Sequence, residues 1–205
     1  MEHTDAERRP SKARSRLLGT AARLFYAEGI HSVGIDRIVA EAQVTRATLY
    51  RHFPSKDDLI LAYLTEASAS ERARTENAVA GGAPAADALR AISRSIAAVI
   101  RDADFRGCAF LNAAAEYPDP EHPVNQAVVA HRQWFLDVIT GLLARIRVEP
   151  AEHAARHYVM MRDGAMAAGC LYDPELVCET FLRGTDGLLQ AHAKEQTGKR
   201  TPKKS

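Results

Sequence analysis

Residues 35–59 read I-D-R-I-V-A-E-A-Q-V-T-R-A-T-L-Y-R-H-F-P-S-K-D-D-L, from Ile35 to Leu59, and this stretch decides the fold. Ile35, Ile38, Val39 and Ala42 recur at spacings of three and four, which is one apolar helix face over about residues 36–42. A second helix opens at Thr45, whose hydroxyl oxygen can accept from a free N–H of the next turn. It buries Ala47 or Leu49 together with Phe53, and leaves Arg46, Thr48, Tyr50, Arg51 and His52 projecting until Pro54 ends it. Two helices this short, close and unequally polar predict a helix-turn-helix, with Arg46–Phe53 as the recognition helix.

Read with its flanks, the stretch resembles the DNA-binding domain of the TetR family of bacterial transcriptional regulators. Gly29, Ile38, Ala42, Val44, Thr45, Thr48-Leu49-Tyr50, His52-Phe53, Ser55-Lys56 and Leu59 carry the resemblance. It runs over about residues 14–62, and T-L-Y-x-H-F-x-S-K is its most specific part. The rest of the chain resembles the family in being helical and of about the right length.

Sequence-specific binding needs phosphate contacts for affinity and base-edge contacts for reading. Tyr50 and His52 place ring donors on the exposed side of the second helix, and the resemblance implies that such positions meet phosphate or bases. Arg46 can reach guanine O6 and N7 with two donors, or a phosphate. Thr45 can cap the helix and touch a phosphate, and Thr48 can offer its methyl to thymine. Lys56, at a helix N-terminus beside the recognition helix, is a natural phosphate clamp. Arg37 is a further phosphate candidate. The sequence departs from the family pattern at three places. Gln43 stands where glycine is usual, and a left-handed Gln costs on the order of 1 kcal/mol. His31-Ser32-Val33-Gly34 supplies no Ser or Thr cap to the first short helix. Asp36 takes a position that is basic in many relatives. Base contacts therefore do not transfer to that helix.

Charge along the chain agrees with a nucleic-acid face at one end. Residues 1–64 hold 10 Lys/Arg against 8 Asp/Glu, residues 65–193 hold 12 against 17, and residues 194–205 hold 5 against 1. Arg8, Arg9, Lys12, Arg14 and Arg16 come without an acidic residue among them, as an arm that touches phosphate or a minor groove or is simply solvated. No apolar run reaches the 18 or so residues of a membrane span. The polar start, Met1 to Pro10, carries no apolar targeting region. Cys108, Cys170 and Cys178 lie apart without C-x-x-C spacing, so a reduced, cytoplasmic chain is expected.

The remaining patterns predict an all-α protein of about nine helices. A first helix over about residues 12–28 buries Leu17, Leu18, Ala21, Leu24 and Phe25, and Gly29 stops it. Ser55 caps a fourth helix, bound to the first three by Leu59, Ile60, Tyr63 and Leu64, whose polar continuation connects head to body. Gly81-Gly82-Ala83-Pro84 marks a boundary. Helices follow over about 85–101, 108–117, 122–147, 150–169 and 174–194, with Val124, Val128, His131, Phe135, Val138, Leu142 and Ile146 as the core row of the longest. This divides the chain into a helix-turn-helix DNA-binding domain at 10–64, three helices, and a helical ligand-binding and dimerisation domain at 65–195. The first ten residues and the tail from Lys194 are expected to be mobile.

The resemblance implies that the body holds a pocket for a small-molecule effector. Candidate lining residues are Phe110, Asn112, Glu116, Trp134, Tyr158 and Met161, with Phe105, Tyr117 and Met166 behind them, each also readable as ordinary core or surface. Asn112 and Glu116 share a helix face, and Glu116 is expected to meet a cationic ligand or to bond Arg132 or Tyr158. Ala165, Ala168, Gly169, Gly184 and Gly187 allow close helix approach on the last two helices, which predicts a homodimer joined as a four-helix bundle. The partners expected are thus a double-stranded, pseudo-palindromic DNA operator, a second copy of the chain and an unidentified small molecule, with no membrane. The function expected is a repressor released by that effector. No cofactor or metal is called for. His153 and His157 have zinc spacing but lack the Glu of H-E-x-x-H, so solvated histidines are the better reading. Cys108 beside Arg106 is a redox candidate set against an inert buried thiol. Two other classes stay open: an enzyme, for which no nucleophile–base spacing, phosphate loop or carboxylate pair exists, and an interaction protein whose head no longer binds DNA.

Overall fold

The computed structural model describes residues 11–80, 82–146 and 150–198, with side chains as far as 191. Arg8, Arg9 and Gly81, together with most of the basic tail, lie outside the described residues. Within them the chain forms nine helices and no strand: α1 Lys12–Glu28, α2 Ile35–Glu41, α3 Arg46–His52, α4 Lys56–Val79, α5 Ala85–Ile100, α6 Ala109–Glu116, α7 Pro123–Arg145, α8 Ala151–Ala168 and α9 Pro174–Gly198.

The head is built by α1 lying against α2, α3 and the first half of α4. Leu17, Leu24, Ile38, Leu49, Leu59 and Ile60 are fully buried there, and each such side chain contributes about 1.5–3 kcal/mol of burial. Leu49, not Ala47, is the inward residue of α3, and Ala47 faces water. Local chemistry starts each helix where the sequence places it. Ser11 Oγ accepts from the Arg14 N–H at 3.2 Å, and Thr45 Oγ1 accepts from the Thr48 N–H at 3.1 Å. Ser55 and Asp58 form a reciprocal capping box at the start of α4. Gly34 precedes α2 without any side-chain cap.

The α2–α3 turn keeps the left-handed geometry that favours glycine. Gln43 has φ 52° and is the one non-glycine residue with positive φ among those described. The backbone bonds Gln43 N–H to Ala40 O and Val44 N–H to Val39 O hold it there. Replacing Gln43 by Gly should therefore stabilise the fold by about 0.5–1 kcal/mol, because glycine adopts this conformation without a Cβ penalty. A rise in melting temperature of a few degrees would show it, and an unchanged or lower value would count against strain at this turn.

The helix α4 continues unbroken from the head into the body, so the expected division at 64/65 falls inside it. Beyond Leu64 it packs on α5 and α7, while α8 and α9 pack on each other and on α7 and α5 respectively. The buried row of α7 is Val124, Val128, His131, Phe135, Ile139, Leu142 and Leu143. It differs from the expected row at Val138 and Ile146, because a 3.6-residue turn drifts away from a strict three-four alternation. At Gly169 a Cβ would sit 2.7 Å from Ile100 Cγ2 and 3.0 Å from Phe105 Cε1, so this glycine allows a close approach within the chain. A Cβ at Gly184 would sit 3.0 Å from Met161 Sδ, a close approach of α9 to α8.

Candidate nucleic-acid interface and body cavities

On α3, Tyr50 is 47% exposed and Thr48 is half-buried, its hydroxyl 3.0 Å from Thr45 Oγ1. His52 Nε2 lies 3.1 Å from Ser11 Oγ, which ties the end of the helix to the start of α1. The Arg14 guanidinium stacks 5.0 Å from the Phe53 ring centroid on the same side. Thr45, Arg46, Thr48, Tyr50 and His52 are thus brought onto one short element at the surface.

Several of the cations are already paired. Arg46 bonds Asp36 across the turn, and that carboxylate raises its pKa. Arg37 donates through Nη2 to Glu28 at 2.7 Å and through Nε to Glu41 at 3.0 Å, and Glu28 first, then Glu41, raises its pKa. Glu41 also takes Arg23 at 2.5 Å, and these two arginines hold its pKa below the ordinary carboxylate value. Lys56 is turned inward and donates from Nζ to the Ile30 carbonyl at 2.7 Å. Burial is the main cause of its lowered pKa. Its first job is to hold the turn between α1 and α2. Sequence spacing hid these partners, because Asp36 and Ile30 reach them only through the fold.

The effector-pocket candidates do not form one site. Glu116 accepts from the Ile30 N–H at 2.8 Å and the His31 N–H at 2.6 Å, so it bolts α6 to the head instead of meeting Arg132 or Tyr158. Arg132 pairs with Asp163. Tyr158 is fully buried in the core, its hydroxyl 2.8 Å from Ser93 Oγ, and burial pushes its pKa up. Asn112 is exposed and donates to the Arg106 carbonyl at 2.9 Å. Trp134 stands under the Arg72 guanidinium at 4.3 Å. Met161 lines the surface groove between α8 and α9. Of the six, Phe110 alone lines two further cavities of the body, about 300 and 310 Å³. It stacks on His131 at 3.6 Å between ring centroids.

A buried polar cluster that the sequence did not suggest sits beside Phe110. Arg162, 4% exposed, donates from Nη2 to Glu71 Oε1 at 3.1 Å and from Nη1 to Asp163 at 3.1 Å and to Cys108 Sγ at 3.4 Å. His131 bonds Ser68 through Nδ1 at 2.9 Å and meets Glu71 through Nε2 at 3.3 Å. Burial raises the Glu71 pKa, but the His131 hydrogen bond and the Arg162 charge outweigh it and leave it lowered. Cys108 is buried and its near cation is Arg162, not Arg106, which donates to the Phe105 carbonyl. Among the described residues no His/Cys/Asp/Glu group could hold a metal ion, and no helix is long and apolar enough to cross a membrane.

The geometry defines a helix-turn-helix protein with a helical body. The family model for bacterial regulatory proteins of the tetR family matches residues 17–63. A TetR-family transcriptional regulator from Streptomyces coelicolor, known as a crystal structure, is 65% identical, with TM-score 0.86, over 88% of this chain and 95% of that one. The chain belongs to the TetR family of transcriptional regulators: it is a DNA-binding regulator of transcription and not an enzyme. The HTH-type transcriptional regulator YjdC of Escherichia coli is 22% identical over 75% of this chain and 81% of that protein. The HTH-type transcriptional activator FasR of Mycolicibacterium smegmatis is 43% identical over 51 residues, 25% of this chain and 23% of its own.

Proposed function

We propose that the chain works as a homodimeric repressor that binds a pseudo-palindromic operator and leaves it when a small molecule fills the body. Residues 10–64 read DNA, and residues 65–195 bind the effector and the second copy. The observation that carries the reading is the surface of α3, where Thr48 and Tyr50 form no hydrogen bond to a charged group and stand beside the paired cation Arg46. Tyr50 and His52 meet phosphate or a base edge, Thr48 offers a methyl, and Thr45 keeps its capping role. Arg46 and Arg37 gain phosphate or base partners by leaving Asp36 and Glu28, so docking includes an exchange of ion pairs. Lys56, with two of its three ammonium donors left, contributes at the edge while holding the α1–α2 turn.

The dimer face is the α8–α9 groove, about 480 Å³, lined by Met161, Ala165, Ala168, Leu176 and Phe181 among others. Leu171, Tyr172 and Leu176 are 75%, 67% and 60% exposed there, apolar area that a second α8–α9 pair would cover. Release follows from linkage: an effector that prefers the head spacing unsuited to the operator weakens DNA by the same factor with which DNA weakens the effector.

A gel shift with the DNA upstream of the protein's own gene tests this reading. A retarded complex that survives unrelated competitor DNA and weakens with salt is expected. Its absence without any added small molecule would overturn it. Because an activator shares this kind of head, a reporter carrying that DNA must also fall in output when the protein is present.

A further inference from the structure

The 310 Å³ cavity lies where head meets body, with Tyr26 of α1 on one wall and Tyr63, Arg74, Cys108, Phe110 and Arg162 on the others. Its volume is at the small end of ligand sites. Ala22, Ala67, Val99, Phe110 and Met166 make much of the lining apolar.

Two polar groups in it have donors to spare. Tyr63 is a buried residue whose hydroxyl has no hydrogen-bond partner among the described residues, and its ring meets Phe25 at 5.9 Å. Burial raises its pKa, so it stays protonated and able to donate. Arg74 gives one N–H to Ser70 Oγ at 2.7 Å and forms no ion pair with a carboxylate among the described residues. Arg162 Nε–H also lacks an acceptor, but that atom has almost no accessible surface and is not offered to the cavity. The acceptors are taken: Glu71 by Arg162 and His131, the Gly107 carbonyl by Tyr26 Oη at 2.9 Å, and Cys108 Sγ by Arg162. The charges of Arg162 and Arg132 are matched by Glu71 and Asp163, and that of Arg23 by Glu41. Arg74 is the lining cation without an ion pair, its charge reaching Glu71 only at longer range. A free hydroxyl and an unpaired guanidinium gain a charge-assisted acceptor when a carboxylate enters. One carboxylate matches this one cation and one hydroxyl. A dianionic phosphate would carry a second charge toward Glu71.

We propose that this cavity binds a small monocarboxylate with an apolar, ring-sized body, its carboxylate held by Arg74 and Tyr63 and its body against Phe110, Met166 and Val99. The proposal rests on the effector reading above and names its chemical class. The site also explains how occupancy reaches the head. Tyr26 Oη donates to Gly107 O and accepts from the Arg106 N–H at 2.9 Å, and both Tyr26 and Gly107 line the cavity. Together with the Glu116 bolt this tie joins head to body, and a ligand wedged beside it acts on the angle between them.

Isothermal titration of the full-length protein with benzoate, phenylacetate, 3-phenylpropionate and 4-hydroxybenzoate, each paired with its primary amide, tests the assignment. At least one acid should bind saturably and about tenfold or more tighter than its amide, as expected for charge-assisted bonds. Tyr63→Phe and Arg74→Gln should each weaken that acid about five- to tenfold, with little change in melting temperature, since the first removes a partnerless hydroxyl and the second an exposed charge. Equal binding of acid and amide, wild-type affinity in both variants, or no saturable binding by any of the four acids overturns the site. A gel shift with the bound acid separates the two readings. If the acid binds with the expected variant pattern and the operator complex is undisturbed, the carboxylate site stands and release by an effector in this cavity falls.

Discussion

Replacing Leu176 by Asp is expected to leave a folded monomer that binds operator about 100-fold or more weakly, the scale on which a second tethered site adds to one. Leu176 is 60% exposed in the single chain and lines the α8–α9 groove. Its loss therefore removes little internal packing, and the melting temperature of the isolated fold should change little. In the proposed bundle the same position lies in the apolar seam, so each copy would bury a carboxylate there, where unpaired charge is costly. One recognition helix alone keeps its phosphate contacts but loses the second half-site. Sedimentation velocity reads the mass and anisotropy reads the affinity. A persistent dimer with unchanged affinity would move the interface away from α8 and α9.

Replacing Arg162 by Met is expected to destabilise the fold by about 3–5 kcal/mol, the usual cost of removing one partner from a buried ion pair. Glu71 would keep His131 but lose the guanidinium, and Asp163 would keep only Arg132. The pH dependence distinguishes this cause from simple loss of packing. The Glu71 pKa is lowered from 4.5, so in the wild type its stabilisation is fully present above 4.5 and is lost as pH falls through the lower folded-state value. Without Arg162 that pKa rises, and the penalty on the variant shrinks as Glu71 protonates. The stability gap measured by urea unfolding should be widest near neutrality and narrow below about pH 4.5. A gap that stays constant from pH 7 to pH 4 would mean that Arg162 acts through packing alone.

The head was largely legible because its information is local. The spacing of Leu17, Leu18, Ala21, Leu24 and Phe25, the Thr45 and Ser55 caps, and the T-L-Y-x-H-F run each concern residues within one or two turns of one another. The resemblance marked Gln43 as a position where glycine is usual, and the structure shows that the turn stays left-handed there. Partner choice was not. Glu116 binds a turn 85 and 86 residues earlier in the chain, and its sequence neighbourhood of alanines gave no hint of this. Lys56 read as a phosphate clamp, and its place at a helix N-terminus says nothing of the Ile30 carbonyl that it also bonds. Aromatic and thioether residues were equally uninformative: periodicity puts Tyr158 and Met161 on the same helix without telling core from groove. The buried cluster of Glu71, His131 and Arg162 comes from three helices and has no trace in any one of them.

These long-range ties explain how a body can govern a head. Glu116 and Tyr26 fasten α6 and the loop before it to the end of α1 and the turn that follows, and α4 runs continuously through both parts. A change in the body therefore reaches α3 through short, polar and replaceable contacts. DNA recognition itself is assigned to α3. Its most direct test is fluorescence anisotropy of labelled upstream DNA, titrated with wild type and with Tyr50→Ala across a range of salt concentrations. The account predicts a specific complex whose affinity falls steeply with salt, and a variant that remains dimeric but binds about tenfold or more weakly, the cost of losing one phosphate or base-edge contact. Equal affinity of the two proteins at every salt concentration would contradict the placement of this helix in the groove.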